Sequence, residues 1–261
     1  SSKGHSLFIR EETMTDSAVA PSACTTIEEV GSTGVGALTI AFLVLGVSTI
    51  VFIARVGSAT AQKRYYYCSI FICGFATMAY FAMLSGQGWT AIAGCRQFFY
   101  ARYVDWAITT PLILLELGLI AGAEPASIAA AIGADVVMVF SGYMGAVSVV
   151  TTVKWFWFLI GIGVFVPVLY TLAVTFRESA VAKGSEVADV YGKVAWLTIV
   201  LWIVYPLVWL FSEGFASFSV SFEVCAYALV DILSKAVLGF MVMSAHDTLG
   251  VAGNSASREY V

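Results

Sequence analysis

Hydrophobic positions along the chain gather into seven runs, each close to the roughly 20 mostly apolar residues that a helix needs to cross a hydrocarbon core about 30 Å thick. The runs lie near residues 34–56, 66–86, 98–120, 127–148, 155–176, 195–214 and 223–245. Between them stand turn and charge signals: Lys63-Arg64, Gly86-Gln87-Gly88, Glu124-Pro125, Thr151 to Lys154, Arg177 to Lys193, and Ser217 to Ser221. No other segment is long enough, so the pattern predicts an all-α membrane protein, a bundle of seven transmembrane helices over residues 31–250. Residues 1–30 are polar and lack the apolar core of a signal peptide. They are expected to be a disordered tail, with any residues before Met14 left by cloning or processing, and residues 251–261 a short C-terminal tail.

Composition agrees with the pattern. Of 261 residues, 60% are hydrophobic and 11% charged, against about a quarter charged in an ordinary soluble domain. That excludes a water-soluble globular protein. Seventeen acids against 13 bases give a net charge of -4, which argues against a nucleic-acid partner. Among bases in the short loops, Arg55, Lys63, Arg64, Arg177, Lys183 and Lys193 fall on one side, Arg96 and Lys154 on the other. The excess marks the cytoplasmic side, placing the N-terminus outside and the C-terminus inside, with the plasma membrane as the default location. The five cysteines, Cys24, Cys68, Cys73, Cys95 and Cys225, show no metal-ligand spacing and are expected mostly to be small buried apolar groups. With no internal repeat, glycine-rich phosphate loop or zinc-protease motif, ATP-driven transport has no support.

The informative residues are charges that the membrane should exclude. A charged side chain near the bilayer centre costs about 2.5–3.5 kcal/mol on insertion scales, so each is a functional candidate. The third span reads R-Y-V-D-W-A-I-T-T-P-L-I-L-L-E and carries Arg102, Asp105, Thr109 and Glu116; the fourth carries Asp135; the seventh carries Asp231 and Lys235. At 3.6 residues per turn, Asp105 and Thr109 stack one turn apart, and Glu116 returns to nearly the same face about 16 Å further along. Asp231 and Lys235 also stand one turn apart. Lys235 is ~15 Å from either end of its span, too far for its amine to snorkel to the interface. A plain buried ion pair with Asp231 is one reading. The other is a desolvated amine able to condense with an aldehyde, with Asp105 and Asp231 as counter-ions and Arg102 balancing the second negative charge.

On these residues the chain resembles the microbial (type 1) retinal-binding rhodopsins, and among them the light-driven proton pumps typified by bacteriorhodopsin. The likeness spans residues 34–250 and rests on 102–116, on W-I-V-Y-P-L-V-W at 202–209, and on D-I-L-S-K at 231–235. It implies that Lys235 carries all-trans retinal as a protonated Schiff base. It further implies Asp105 as primary proton acceptor, Asp231 as second counter-ion, Arg102 as the gating arginine and Thr109 as the hydroxyl beside the acceptor. Glu116 matches the cytoplasmic proton donor; glutamate there is the proteorhodopsin habit, whereas the archaeal pump has aspartate. Glu213 and Glu223 fall where bacteriorhodopsin has its extracellular proton-release pair, the bland alternative being that both face water. Met78 replaces the histidine partner that proteorhodopsins give the acceptor.

By the same resemblance Trp106, Trp202, Tyr205 and Trp209 form the chromophore box. Further pocket residues are Tyr80, Thr110, Ile113, Met138, Gly142, Trp157, Gly161 and Phe165. Phe158 stands in place of a tryptophan and Gly161 in place of a serine, Asp135 matches a structural hydrogen-bonding aspartate near the ring, and Pro206 could kink its helix.

The implied activity is outward proton transport driven by light: a proton passes to Asp105, another leaves near Arg102, Glu213 and Glu223, and Glu116 reprotonates the imine from inside. This requires Glu116 to hold its proton in the dark, which the apolar neighbours Leu114, Leu115, Leu117 and Leu119 favour. Protons, retinal and membrane lipids are the expected partners, and a homo-oligomer is compatible. The alternatives within the fold are a photosensory rhodopsin, a light-gated ion channel and an anion pump. Anion pumps replace the acceptor carboxylate, sodium pumps carry a different triad from Asp105, Thr109 and Glu116, and sensors commonly lack the donor. An ion-coupled transporter using the same buried charges without retinal would be colourless.

Overall fold

The computed structural model describes residues 20–57 and 63–245. Seven helices long and apolar enough to cross a membrane run through it: α1 (Ser32–Val56), α2 (Lys63–Leu84), α3 (Tyr100–Ala121), α4 (Pro125–Val147), α5 (Thr151–Lys183), α6 (Ser185–Gly214) and α7 (Val220–Ser244). The protein is thus an integral membrane protein of the expected class. Its outward surface carries Ile40, Val47, Ile50, Phe71, Leu159 and Trp196. In water this would be a liability; in lipid it is the solvated face, and the helical backbone satisfies its own polar groups there.

Neighbouring helices pack in chain order, and α1 also packs on α7, which closes the bundle. In their central windows α3 and α7 have 61% and 56% of positions buried, against 22–39% in the others. These two interior helices carry most of the buried charges: Arg102, Asp105 and Glu116 on α3, and Glu223, Asp231 and Lys235 on α7. Close packing around α3 depends on small residues: a Cβ on Gly118 would lie 2.6 Å from Ile128 Cγ1 and 3.4 Å from a ring carbon of Phe176. Gly122, in left-handed conformation (φ 66°), ends the helix, and the Lys183 side chain passes directly over it.

Three features depart from or add to the sequence pattern. The polar stretch Arg177 to Lys193 is not a loop: α5 continues to Lys183 and α6 starts at Ser185, with only Gly184 between. These turns are polar because they lie past the apolar part of each span. Their ends are fastened by Tyr191, whose hydroxyl donates to the Leu172 carbonyl at 2.6 Å, and by a bond from Arg177 to the Ala188 carbonyl. Second, the second and third spans are joined by a two-stranded antiparallel hairpin, Thr90–Ile92 (β1) and Arg96–Phe98 (β2), turned by Gly94 and Cys95 at positive φ. Third, residues 20–30 are placed against this hairpin, so the expectation of disorder fails for them. Cys24 and Cys95 form a disulfide and are not small buried apolar groups, while Cys68 and Cys73 are buried free thiols. Residues 1–19, with Met14, and the tail 251–261 lie outside the described residues.

Candidate functional site

The helix periods bring the charges together. On α7, Glu223, Tyr227, Asp231 and Lys235 recur every four residues, and all four are buried. Lys235 lies in a π-helical turn, Ile232–Val237, a local widening that often marks functional positions. Its Nζ donates to Asp105 Oδ2 of α3 and to Asp231 Oδ1, both at 2.6 Å. Both readings of the lysine therefore share one geometry, an amine sealed between two carboxylates.

The two carboxylates differ in their surroundings. Asp231 also receives the hydroxyls of Tyr80 (2.7 Å, to Oδ2) and Tyr205 (2.7 Å, to Oδ1) and the Trp106 indole N–H (3.4 Å). Counting Lys235, four donors converge on it. Asp105 receives Lys235 on one oxygen, and its Oδ1 has no partner among the described residues. The Thr109 hydroxyl is taken by the Asp105 backbone carbonyl (2.9 Å), so it stands one turn from Asp105 and is fully buried.

Beyond the lysine, an apolar cavity runs between α3, α4, α5 and α6. Trp106, Thr110, Met138, Gly142, Gly161, Phe165, Trp202, Tyr205 and Trp209 line it, all expected from the sequence. Trp106 and Tyr205 belong both to this wall and to the Asp231 cluster, so the cavity abuts the lysine end. Thr110 donates to the Trp106 carbonyl (2.7 Å) and lies 2.6 Å from Oδ2 of the buried Asp135, which stands beside the cavity. Trp209 Nε1 donates to the Gly142 carbonyl (3.1 Å).

Three pocket assignments move. Trp157 does not line the cavity: it packs edge-on against the exposed Phe140, because its neighbour Phe158 occupies the inward direction and stacks on Trp209 at 5.0 Å. Ile113 is buried in the aliphatic core beside the cavity, and Tyr80 serves Asp231. The cavity walls absent from the sequence reading are Tyr103, Val139, Ile162 and Tyr227. A helical signal existed for each: 103-106-110 on α3, 135-138-139-142 on α4, 158-161-162-165 on α5, and 223-227-231-235 on α7 follow one face.

Two further groups flank the centre. On one side Glu116 is 1% exposed and accepts from the Ser69 hydroxyl of α2 at 2.8 Å, amid Leu114, Leu117 and partly buried Leu115 and Leu119. On the other side Arg102 Nη1 donates to Glu223 Oε1 at 2.7 Å, its guanidinium resting 4.2 Å from the Tyr227 ring centre. Tyr103 donates to Glu213 Oε1 at 3.3 Å, and the Lys154 amine donates to the Glu213 backbone carbonyl at 2.7 Å. Glu213 and Glu223 are 3% and 2% exposed, so the reading in which both face water is excluded. Met78, 67% exposed, faces outward and is no partner for Asp105.

Comparison with known proteins follows the same lines. A family model described as bacteriorhodopsin-like protein matches residues 35–249. Archaerhodopsin-1 of Halorubrum ezzemoulense is 32% identical over 219 residues, 82% of this chain and 84% of that protein. Sensory rhodopsin-2 of Natronomonas pharaonis is 33% identical over 193 residues, 74% of this chain and 80% of that protein. Among solved structures, the light-driven proton pump rhodopsin of Coccomyxa subellipsoidea superposes with a TM-score of 0.82 at 30% identity, covering 85% of this chain and all of that one.

Proposed function

Since the chain belongs to the bacteriorhodopsin-like family, a family of retinal proteins, we propose that it is a light-driven outward proton pump holding all-trans retinal on Lys235. The observation that carries this reading is the single interior line of α3, with Asp105 at the lysine and Glu116 about three turns beyond it, both buried. The fit to retinal is chemical: a buried primary amine stands next to an aromatic cavity, whose wall residues Trp106 and Tyr205 also bond Asp231, and the walls offer flat rings and little polarity. Lys235 would form the attachment; Trp106, Trp202, Tyr205, Trp209, Met138, Gly161 and Phe165 would confine the polyene. When bound, retinal supplies a light-driven change in the direction and proton affinity of the lysine nitrogen.

The residues then divide the work. Asp231, held by Tyr80, Tyr205 and Trp106, keeps its charge and position, since protonating it would break several of those bonds. Asp105 has an oxygen without a partner and sits on the amine, so it takes the proton. Arg102 answers a change of charge at Asp105 and is tied to Glu223, beyond which Glu213 completes an exit. Glu116 stores a proton on the opposite side, away from competing charges, and returns it. Direction rests on the six-to-two distribution of bases, which puts the Glu116 side in the cytoplasm.

The likeness to sensory rhodopsin-2 is of the same order as that to archaerhodopsin-1, so overall identity does not separate pump from sensor. The buried carboxyl at Glu116 favours the pump. The test is the external pH of unbuffered cells expressing the chain with all-trans retinal under green light. Acidification abolished by a protonophore is expected; a coloured protein without any pH change would move the assignment to a sensor.

A further inference from the structure

The outer carboxylate Glu223 is held by two cations. Arg102 takes Oε1, and Arg96 Nη2, from strand β2, reaches Oε2 at 3.3 Å. Arg96 is no surface residue: its side chain is 8% exposed, and its other nitrogen donates to Glu28 Oε2 at 2.9 Å. Glu28 in turn accepts the Val220 N–H, the first residue of α7, at 3.0 Å through Oε1.

The segment carrying Glu28 is bound to the hairpin by independent links. Glu28 N–H donates to the Cys95 carbonyl (2.8 Å), Gln97 N–H donates to the Glu28 carbonyl (2.9 Å), and the Val30 N–H donates to Gln97 Oε1 (2.7 Å). The Cys24–Cys95 bond closes this arrangement covalently, next to Arg96 itself. A row of alternating charge, Glu28, Arg96, Glu223, Arg102, therefore runs from a half-exposed carboxylate to the buried arginine near Asp105.

We propose that Arg96 is a positioning residue for Glu223, and that Glu28 and the Cys24–Cys95 bond form with it an outer clamp that sets the pH range of proton release. The inference rests on the outward-pump reading. The groups facing Glu223 are Arg102 and Tyr103 from α3, Arg96 from β2, Glu213 from α6 and Tyr227 from α7. Lys154 of α5 lies behind Glu213 and Glu28 behind Arg96. Among the described residues, Arg102 and Arg96 are the cations that touch Glu223. Without Arg96, two buried carboxyls share Arg102, and a proton is held there more tightly.

The test uses the full chain with retinal in lipid nanodiscs, flash excitation, and a soluble fluorescent pH dye to time proton release across a pH series. In Arg96→Gln the midpoint between early and late release moves up by about one pH unit, a roughly tenfold change in proton affinity. Arg96→Lys restores most of that shift, and the absorption band stays where it is in both. Reducing the disulfide of the wild-type protein moves the midpoint in the same direction by less. An unmoved midpoint in Arg96→Gln, or an equal shift in Arg96→Lys, overturns the proposal. Should Arg96→Gln fail to assemble with retinal, the reduced wild-type protein decides: a shift supports the clamp and none overturns it. A wild-type protein that releases no proton at all defeats the pump reading instead.

Discussion

Ser69→Ala probes the donor assignment with one atom. Ser69 Oγ, on α2, is the partner of Glu116 Oε1 at 2.8 Å, while Glu116 Oε2 has none among the described residues. Gly239 of α7 packs against the same serine, a Cβ there falling 3.4 Å from Ser69 Cβ, so alanine removes the hydroxyl with little room for rearrangement. A hydroxyl bonded to a neutral carboxyl is worth about 1 kcal/mol, and one bonded to a charged group about 1.5–3 kcal/mol. The serine thus supports Glu116 more after the proton has left than before, by roughly 0.5–2 kcal/mol. Removing it should slow return of the proton to the lysine nitrogen by about two- to tenfold, part of that difference being felt at the barrier. The assay is flash photolysis, following decay of the deprotonated form's absorption at two external pH values. In Glu116→Gln, where no proton can be given, adding Ser69→Ala should change nothing further, a cycle that isolates the pair. Equal recovery in wild type and Ser69→Ala, or an undiminished effect in the Gln background, would refute the reasoning.

Other outcomes follow from the same geometry. Lys235→Ala should abolish the visible chromophore, and a normally coloured variant would end the attachment assignment. Asp105→Asn should stay coloured, with an altered band position, and lose proton transport; transport at wild-type rate would remove Asp105 as acceptor. Gly118→Ala forces a methyl to within 2.6 Å of Ile128 Cγ1, and overpacking of this kind costs about 1–3 kcal/mol. It should lower the temperature of thermal bleaching, and Ile128→Ala should recover most of the loss in the double variant.

What the sequence made legible follows from what lipid demands. Seven apolar runs and six intramembrane charges, Arg102, Asp105, Glu116, Asp135, Asp231 and Lys235, are visible because a charge in the membrane is costly unless it is structural or functional. The polar helical turns at Arg177–Lys193 escaped the same rule, since hydropathy reports the embedded part of a helix and not its ends. The hairpin strands are three residues each, too short to show alternation, and the Cys24–Cys95 pair is 71 residues apart in sequence. Arg96, counted only as a loop base, acquires its role from that local structure. Trp157 and Phe158 show the remaining difficulty: adjacent aromatics on a helix differ by about 100° in direction, and composition alone did not say which one faces the cavity.

The most direct test of the central claim is light-driven proton movement in lipid vesicles holding the retinal-loaded chain in one known orientation, wild type beside Asp105→Asn. Acidification on the side of the N-terminus in the wild type, abolished by a protonophore and missing in Asp105→Asn, is the predicted result. A coloured wild-type protein that moves no protons, or moves them towards the side of the C-terminus, would contradict it.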